Sequence, residues 1–212
     1  MKIANMQGFI QKYKRIIYSI NMVIKSNFKG KLGRKFKVNL IEQISITIFK
    51  LKYNLPDRIL EDIFRVDHVT ISRIINRISL YLSKFNLSPT DKSEFYIVDS
   101  TTIRRGKGKN SDTYSGYKHH HGVKFQVIIN ENLSILGDKA YVPIKRNELE
   151  YKKYKIKVKS LNKKLSSKRI KIEHLFAKMK NFRILQRLNY YKINKIEIFF
   201  NAIANIYNLS KI

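Results

Sequence analysis

Three carboxylates stand out from a basic background: Asp99, Asp138 and Glu173. Asp99 ends the apolar run Phe95-Tyr96-Ile97-Val98. Asp138 follows the short apolar stretch Leu133-Ser134-Ile135-Leu136, and Glu173 stands among Lys168, Arg169, Lys171 and Lys178. Carboxylates are the hard oxygen ligands that Mg²⁺ or Mn²⁺ prefers. Two such ions can activate water or a 3′-hydroxyl and stabilise the leaving oxygen at a phosphodiester. Taken singly, each acid has a plainer reading. A strand-end Asp is usually a cap, and a helix Glu is usually an ion-pair partner. The run His119-His120-His121 invites a metal reading too, but it reads more simply as the polar start of a strand.

The charge of the chain says which polyanion such chemistry would meet. Lys and Arg number 44 against 15 Asp and Glu, a net charge of +29 over 212 residues. A field of that sign attracts nucleic acid. The abundance of Ile, Asn and Tyr points to a coding bias that inflates Lys, yet the same bias should raise the acids, which are scarce. A membrane-surface or ribosomal role is the remaining reading of charge alone. Hydrophobic residues make up 43% of the chain, which fits a folded protein and not a charged tail. No apolar run approaches the roughly 20 residues needed to span a bilayer. The N-terminus lacks a signal-peptide core, so a cytoplasmic protein is expected. The absence of cysteine excludes disulfides and thiolate metal sites.

The elements that must position these residues are legible in outline. Residues 7 to 26 read as a basic amphipathic helix, and Lys29-Gly30-Lys31-Leu32-Gly33-Arg34-Lys35 as a flexible basic linker. Three helical patterns follow. The first runs from about Leu40 to Tyr53. The second starts at Asp57, expected to be its N-cap, and the third carries Ile71, Ile74, Ile75, Ile78 and Leu82 at helical spacing. Only Arg65-Val66-Asp67-His68 separates the last two, which gives a helix-turn-helix shape over about 57–83. On the third helix, Thr70, Arg73, Asn76 and Arg77 fall opposite the isoleucines and offer the groups that base edges and phosphates accept. The same pattern also fits a plain helical hairpin with a solvated face.

After Ser88-Pro89-Thr90 the period changes. A strand is expected over Phe95–Asp99, a basic turn-rich loop over 103–118, and a second strand over Val123–Ile129. A turn at Glu131-Asn132 leads to a third short strand over Leu133–Leu136. Lys145 to Lys171 holds twelve basic residues against Glu148 and Glu150. A helix from about Ser167 to Met179 and a last apolar helix from about Ile196 to Leu209 close the chain. The fold expected is α+β, with a helical DNA-binding region over 1–90 and a mixed sheet with flanking helices over 91–212.

The contexts of the three acids resemble the three blocks of insertion-sequence DDE transposases. These are Val98-Asp99-Ser100-Thr101, Gly137-Asp138-Lys139-Ala140-Tyr141, and the helix carrying Arg169, Glu173 and Lys180. They are similar to the Harbinger-related group, whose blocks read V-D-[SAG]-T, D-[SK]-[GA]-Y and R-x₃-E-x₆-K. Tyr114-Ser115-Gly116-Tyr117-Lys118 and Asn181-Phe182-Arg183-Ile184-Leu185 resemble neighbouring segments of that group. The helix-turn-helix, with Val69-Thr70-Ile71-Ser72-Arg73 in its last helix, fits as well, so the resemblance covers roughly residues 38 to 209. It implies a ribonuclease H-like catalytic domain in which Asp99, Asp138 and Glu173 hold Mg²⁺ or Mn²⁺, two ions in an intact site. Arg169 and Lys180 would hold phosphates. It also implies double-stranded DNA as partner, both transposon terminal repeats and target, and a homodimer when active. Ser166 stands where some relatives carry a tyrosine.

The chain departs from that group in one consequential place. Relatives carry a further strand portion and a helix between the hairpin and the D-[SK]-[GA]-Y block, whereas here only four residues separate the turn from Gly137. In a ribonuclease H-like sheet the second Asp lies beside the first strand, on the side away from the hairpin. Reaching it takes a crossover of about a dozen residues or more. The chain is too short for this near residues 136–137. Two function classes follow: a transposase that cleaves and joins insertion-sequence ends, or a transposase-derived DNA-binding protein in which a deletion has cost the catalysis. An RNA-binding or ribosomal protein fits the charge but leaves the three acid motifs unexplained.

Overall fold

The computed structural model describes residues 4–27, 38–84, 97–104, 114–115, 119–129, 135–141, 159–186 and 191–210. The linker expected at 29–35, the segment 88–90, the turn expected at 131–132 and the basic stretch 145–158 lie outside these residues; of the loop expected over 103–118, residues 103–104 and 114–115 are in strands, and 105–113 and 116–118 lie outside the described residues. The described elements group into two compact units. One comprises Met1–Asn86, Phe182–Leu185 and Asn194–Ile212, and the other Leu87–Asn181 and Gln186–Ile193.

The first unit is helical: α1 (Ala4–Asn27), α2 (Leu40–Tyr53), α3 (Asp57–Phe64), α4 (His68–Ser83) and α6 (Ile193–Leu209). Helix α2 starts at a reciprocal cap. Asn39 Oδ1 accepts the Glu42 N–H at 2.9 Å, and the Asn39 N–H donates back to Glu42 at 3.3 Å. The apolar spacing read from the sequence is the buried stripe of α4, where Ile71, Ile74, Ile75, Ile78 and Leu82 lie in the core. Phe9, Ile17, Ile20 and Ile24 bury the inner face of α1. The apolar helix α6 groups with this unit and not with the sheet, although 91–212 was the span expected for the second domain. Its Asn205 side chain donates to the Leu82 carbonyl at 2.7 Å.

Asp57 does not cap α3 as expected. Pro56 holds the cap position without a side-chain bond, and Asp57 instead pairs with Lys50 of α2 at 2.8 Å. The reason is burial: the Lys50 side chain is only 8% exposed and requires an anion. Asp57→Ala is expected to destabilise the helical unit by about 2 kcal/mol, since it leaves a buried ammonium with only the Leu55 carbonyl. Urea unfolding of the two chains checks this.

The second unit holds β1 (Ile97–Arg104), the two-residue β2 (Tyr114–Ser115), β3 (His120–Ile129), β4 (Ile135–Tyr141) and helix α5 (Lys159–Lys180). A mixed sheet was expected, but among the described residues every pairing is antiparallel. β3 lies between β1 and β4, and β2 pairs with its first residues. Val123, Phe125, Val127 and Ile129 alternate with Lys124, Gln126 and Ile128, so one face of β3 is buried and the other meets water. Helix α5 packs on β1 and buries Ile172, Leu175, Phe176 and Met179. It begins eight residues before the expected Ser167, in a Lys-rich stretch where Leu161 and Leu165 already stand four residues apart. The histidine run opens β3 as read, with His119 in the preceding turn at φ 51° and His120 and His121 in the strand.

Gly122 is needed for a close approach. A Cβ there would sit 2.6 Å from Thr102 Cγ2 and 3.0 Å from the Ile103 carbonyl oxygen. Gly122→Ala is therefore expected to cost about 1–3 kcal/mol by overpacking. Adding Thr102→Ser, which deletes the clashing methyl, should recover part of the loss in thermal unfolding.

Candidate functional site

Helix α4 is set by its first residue pair. Asp67 precedes it and accepts the backbone N–H groups of Val69 and Thr70 at 3.0 and 3.1 Å, which fixes where the helix starts. Arg65 closes α3 in the left-handed conformation at φ 54°. A short helix, a turn of three residues and a longer helix result. Of the four residues read on the outer face of α4, Arg73 and Asn76 are exposed and Thr70 is half-buried.

Arg77 behaves differently. Its guanidinium donates to the Gln43 side-chain oxygen, and Gln43 in turn donates to the Val38 carbonyl at 2.6 Å. Burial pulls the Arg77 pKa down, with Tyr81 opposing. A helical wheel assigns Arg77 to the polar face, but the wheel cannot show that α2 supplies a buried amide opposite it. Arg77 thus ties α4 to α2, and the outward-facing polar pair is Arg73 and Asn76.

The sequence reading missed a group at this turn. Glu61, Asp67 and His68 bring one ligand-capable atom each within 4.8 Å of one another. His68 Nδ1 lies 3.0 Å from Glu61 and 3.6 Å from Asp67, so the trio links the end of α3 to the start of α4. The sequence held the signal, an Asp directly before a helix. This is not the set of acids read from the motifs.

Those acids are placed as follows. Asp99 was expected to end a strand but is the third residue of β1, which continues through Ser100, Thr101, Thr102 and Ile103 in register with β3. The β-branched run after the acid sustains the strand. Asp99 is half-buried, and one of its carboxylate oxygens accepts the Ser100 N–H at 2.7 Å. Glu173 is exposed on α5, the helix that packs on β1. Lys180 is exposed at the end of that helix, and Arg169 lies within it. The side chains of Asp138 and Arg169 lie outside the described residues.

The backbone fixes the position of Asp138 nonetheless. Asp99 pairs with Val127, and Val127 pairs on its other side with Asp138. The two aspartates therefore occupy one cross-strand row with Val127 between them, two strand spacings or about 10 Å apart. Carboxylates that share one Mg²⁺ must bring oxygens to about 2.1 Å from it, and paired ions sit about 4 Å apart. Along this row the backbones of Asp99 and Asp138 are not direct neighbours. The described strands lie in the order β1-β3-β4.

Comparison with known proteins bears on the second half of the chain. Residues 131–208 match the family model described as DDE superfamily endonuclease. This span contains β4 with Asp138 and the whole of α5 with Glu173. No curated protein and no solved structure matches the chain.

Proposed function

We propose that this chain is a DNA-binding protein of insertion-sequence transposase lineage, which holds transposon ends through α4 and no longer assembles the two-metal site that cleaves them. The observation that carries the first half is the α3–turn–α4 arrangement, with Arg73 and Asn76 facing outward in a chain of charge +29. Guanidinium and amide groups on one helix face suit the donor and acceptor patterns of the major groove, and the surrounding cations suit its phosphates. Thr70, at the start of α4, is placed for a backbone contact. Arg169 and Lys180 on α5 are assigned to phosphates near Glu173, as in the family whose motif they match.

The sheet register supports the second half. In an intact relative, Asp99, Asp138 and Glu173 would converge on Mg²⁺ or Mn²⁺, which supplies Lewis-acid activation of water or a 3′-hydroxyl. Here Asp99 and Glu173 belong to elements in contact, β1 and α5, while Asp138 stands two strands from Asp99. The ribonuclease H-like domain of the lineage is thus read as internally shortened near 136–137. Homodimerisation on paired ends belongs to the active relatives.

The test separates DNA binding from the three acids. The variant Asp99→Asn/Asp138→Asn/Glu173→Gln should bind end-bearing duplex DNA as tightly as the parent, or more tightly because three negative charges are gone. A variant that loses DNA affinity together with the acids would place the DNA contact at the acidic site and contradict the assignment to α4.

A further inference from the structure

Helices α1 and α2 are joined by aromatic rings in edge-to-face and tilted contact. Phe9 lies 4.9 Å from Phe49 and 5.9 Å from Tyr53, and Phe49 lies 4.7 Å from Tyr53. Lys12 stands one helical turn after Phe9 on α1, and Lys52 stands next to Tyr53 on α2, so both cations belong to the helix segments that these rings hold together. The Lys52 ammonium lies 4.9 Å above the Phe182 ring, and Arg183 is the next residue. Three cations from three elements of the helical unit are thus gathered around one point. Lys12 and Arg183 are exposed and Lys52 is half-buried. Among the described residues none of the three has a carboxylate partner. The like charges are felt: burial depresses the Lys52 pKa first, and Lys12 and Arg183 depress it further.

A folded chain that collects like charges against their mutual repulsion gives up stability there, and such breaches of local consistency mark functional sites. We propose that Lys12, Lys52 and Arg183 form a phosphate-binding site that grips the DNA backbone, a sequence-independent contact separate from the groove-reading face of α4; it rests on the DNA-binding reading above. The rest of α1 agrees. Its 24 residues include Lys12, Lys14, Arg15 and Lys25 and no acid. A lipid surface is the poorer occupant, because α1 already buries Phe9, Ile17, Ile20 and Ile24 in the protein, and Tyr18 and Met22, its exposed large apolar side chains among the described residues, are too few to make an inserting face. A second copy of the chain would bring its own positive field to the patch.

The experiment compares the full-length parent with Lys12→Gln/Lys52→Gln/Arg183→Gln, which keeps the side-chain stems and removes the charges. Duplex affinity is measured across salt concentrations, and thermal midpoints are taken with and without inorganic phosphate. The log–log salt slope should flatten by about 0.9 for each phosphate that is no longer neutralised, roughly 2 to 3 in all. The variant's midpoint without ligand should equal or exceed the parent's, since repulsion has been relieved, and a merely structural role would lower it. Should the triple variant not fold, Arg183→Gln alone is expected to flatten the slope by about 0.9. An unchanged slope in a parent that binds DNA overturns this inference and leaves the α4 reading standing. A parent that binds no duplex at any salt overturns the DNA reading itself. The anion site then stands only if phosphate raises the parent's midpoint and not the variant's.

Discussion

Inserting after Leu136 the strand and helix segment that relatives carry there should raise Mg²⁺-dependent cleavage of end-bearing DNA by about 10²- to 10⁴-fold. That factor corresponds to the several kcal/mol a second anchored ion contributes to a phosphoryl transition state. The mechanism is topological. In the present sheet β4 turns straight back along β3, which puts Asp138 in one row with Val127 and Asp99. Among the described residues the other edge of β1 carries no strand. A crossover of sufficient length lets the strand carrying Asp138 reach that edge. There the two aspartates come within a single strand spacing, about 4.8 Å, close enough to share an ion. A folded insertion variant with unchanged single-turnover cleavage would sink this explanation.

The second large effect concerns recognition. Arg73→Ala/Asn76→Ala should weaken binding to the cognate end by about 30-fold to about 10⁴-fold and erase its preference over unrelated duplex. The estimate takes about 1–3 kcal/mol per base-reading side chain. Arg77→Ala should act differently, although it lies on the same nominal face. It leaves the Gln43 carbonyl oxygen without its donor, at a cost of about 1–2 kcal/mol in stability, and should change the binding preference little. Competition titrations with cognate and scrambled duplexes separate the two outcomes. Equal loss of preference in both variants would mean that the readout does not lie on the exposed pair.

The contrast between Arg73 and Arg77 shows where sequence reading reached its limit. The 3.6-residue period of Ile71, Ile74, Ile75, Ile78 and Leu82 was enough to place α4 and its buried stripe, and α2 carries the bounds its pattern gave. What periodicity cannot give is the identity of the neighbour. Asp57 looked like a cap because it follows Pro56, but a buried lysine seven residues earlier claims it. The apolar period of α6 told that the helix is buried, not against what. The acids were legible as motifs, but the strand expected over Leu133–Leu136 was placed too early: β4 runs Ile135–Tyr141 and carries Asp138 within it, because Lys139, Ala140 and Tyr141 continue the pairing with β3. The length of α5 was overlooked because its first turns are dominated by lysines, although Leu161 and Leu165 stand there at helical spacing. The continuation of β1 past Asp99 was overlooked because the motif was read as the end of an element.

The most direct test of the account is single-turnover cleavage of end-bearing duplex DNA by the chain as it stands and by Asp138→Ala, in Mg²⁺ and in Mn²⁺. Cleavage should be weak in the parent and nearly the same in the variant, because the residue removed does not share a site with Asp99. Robust cleavage by the parent that is abolished by Asp138→Ala would show that the three carboxylates converge and that the shortened connection does not break the site.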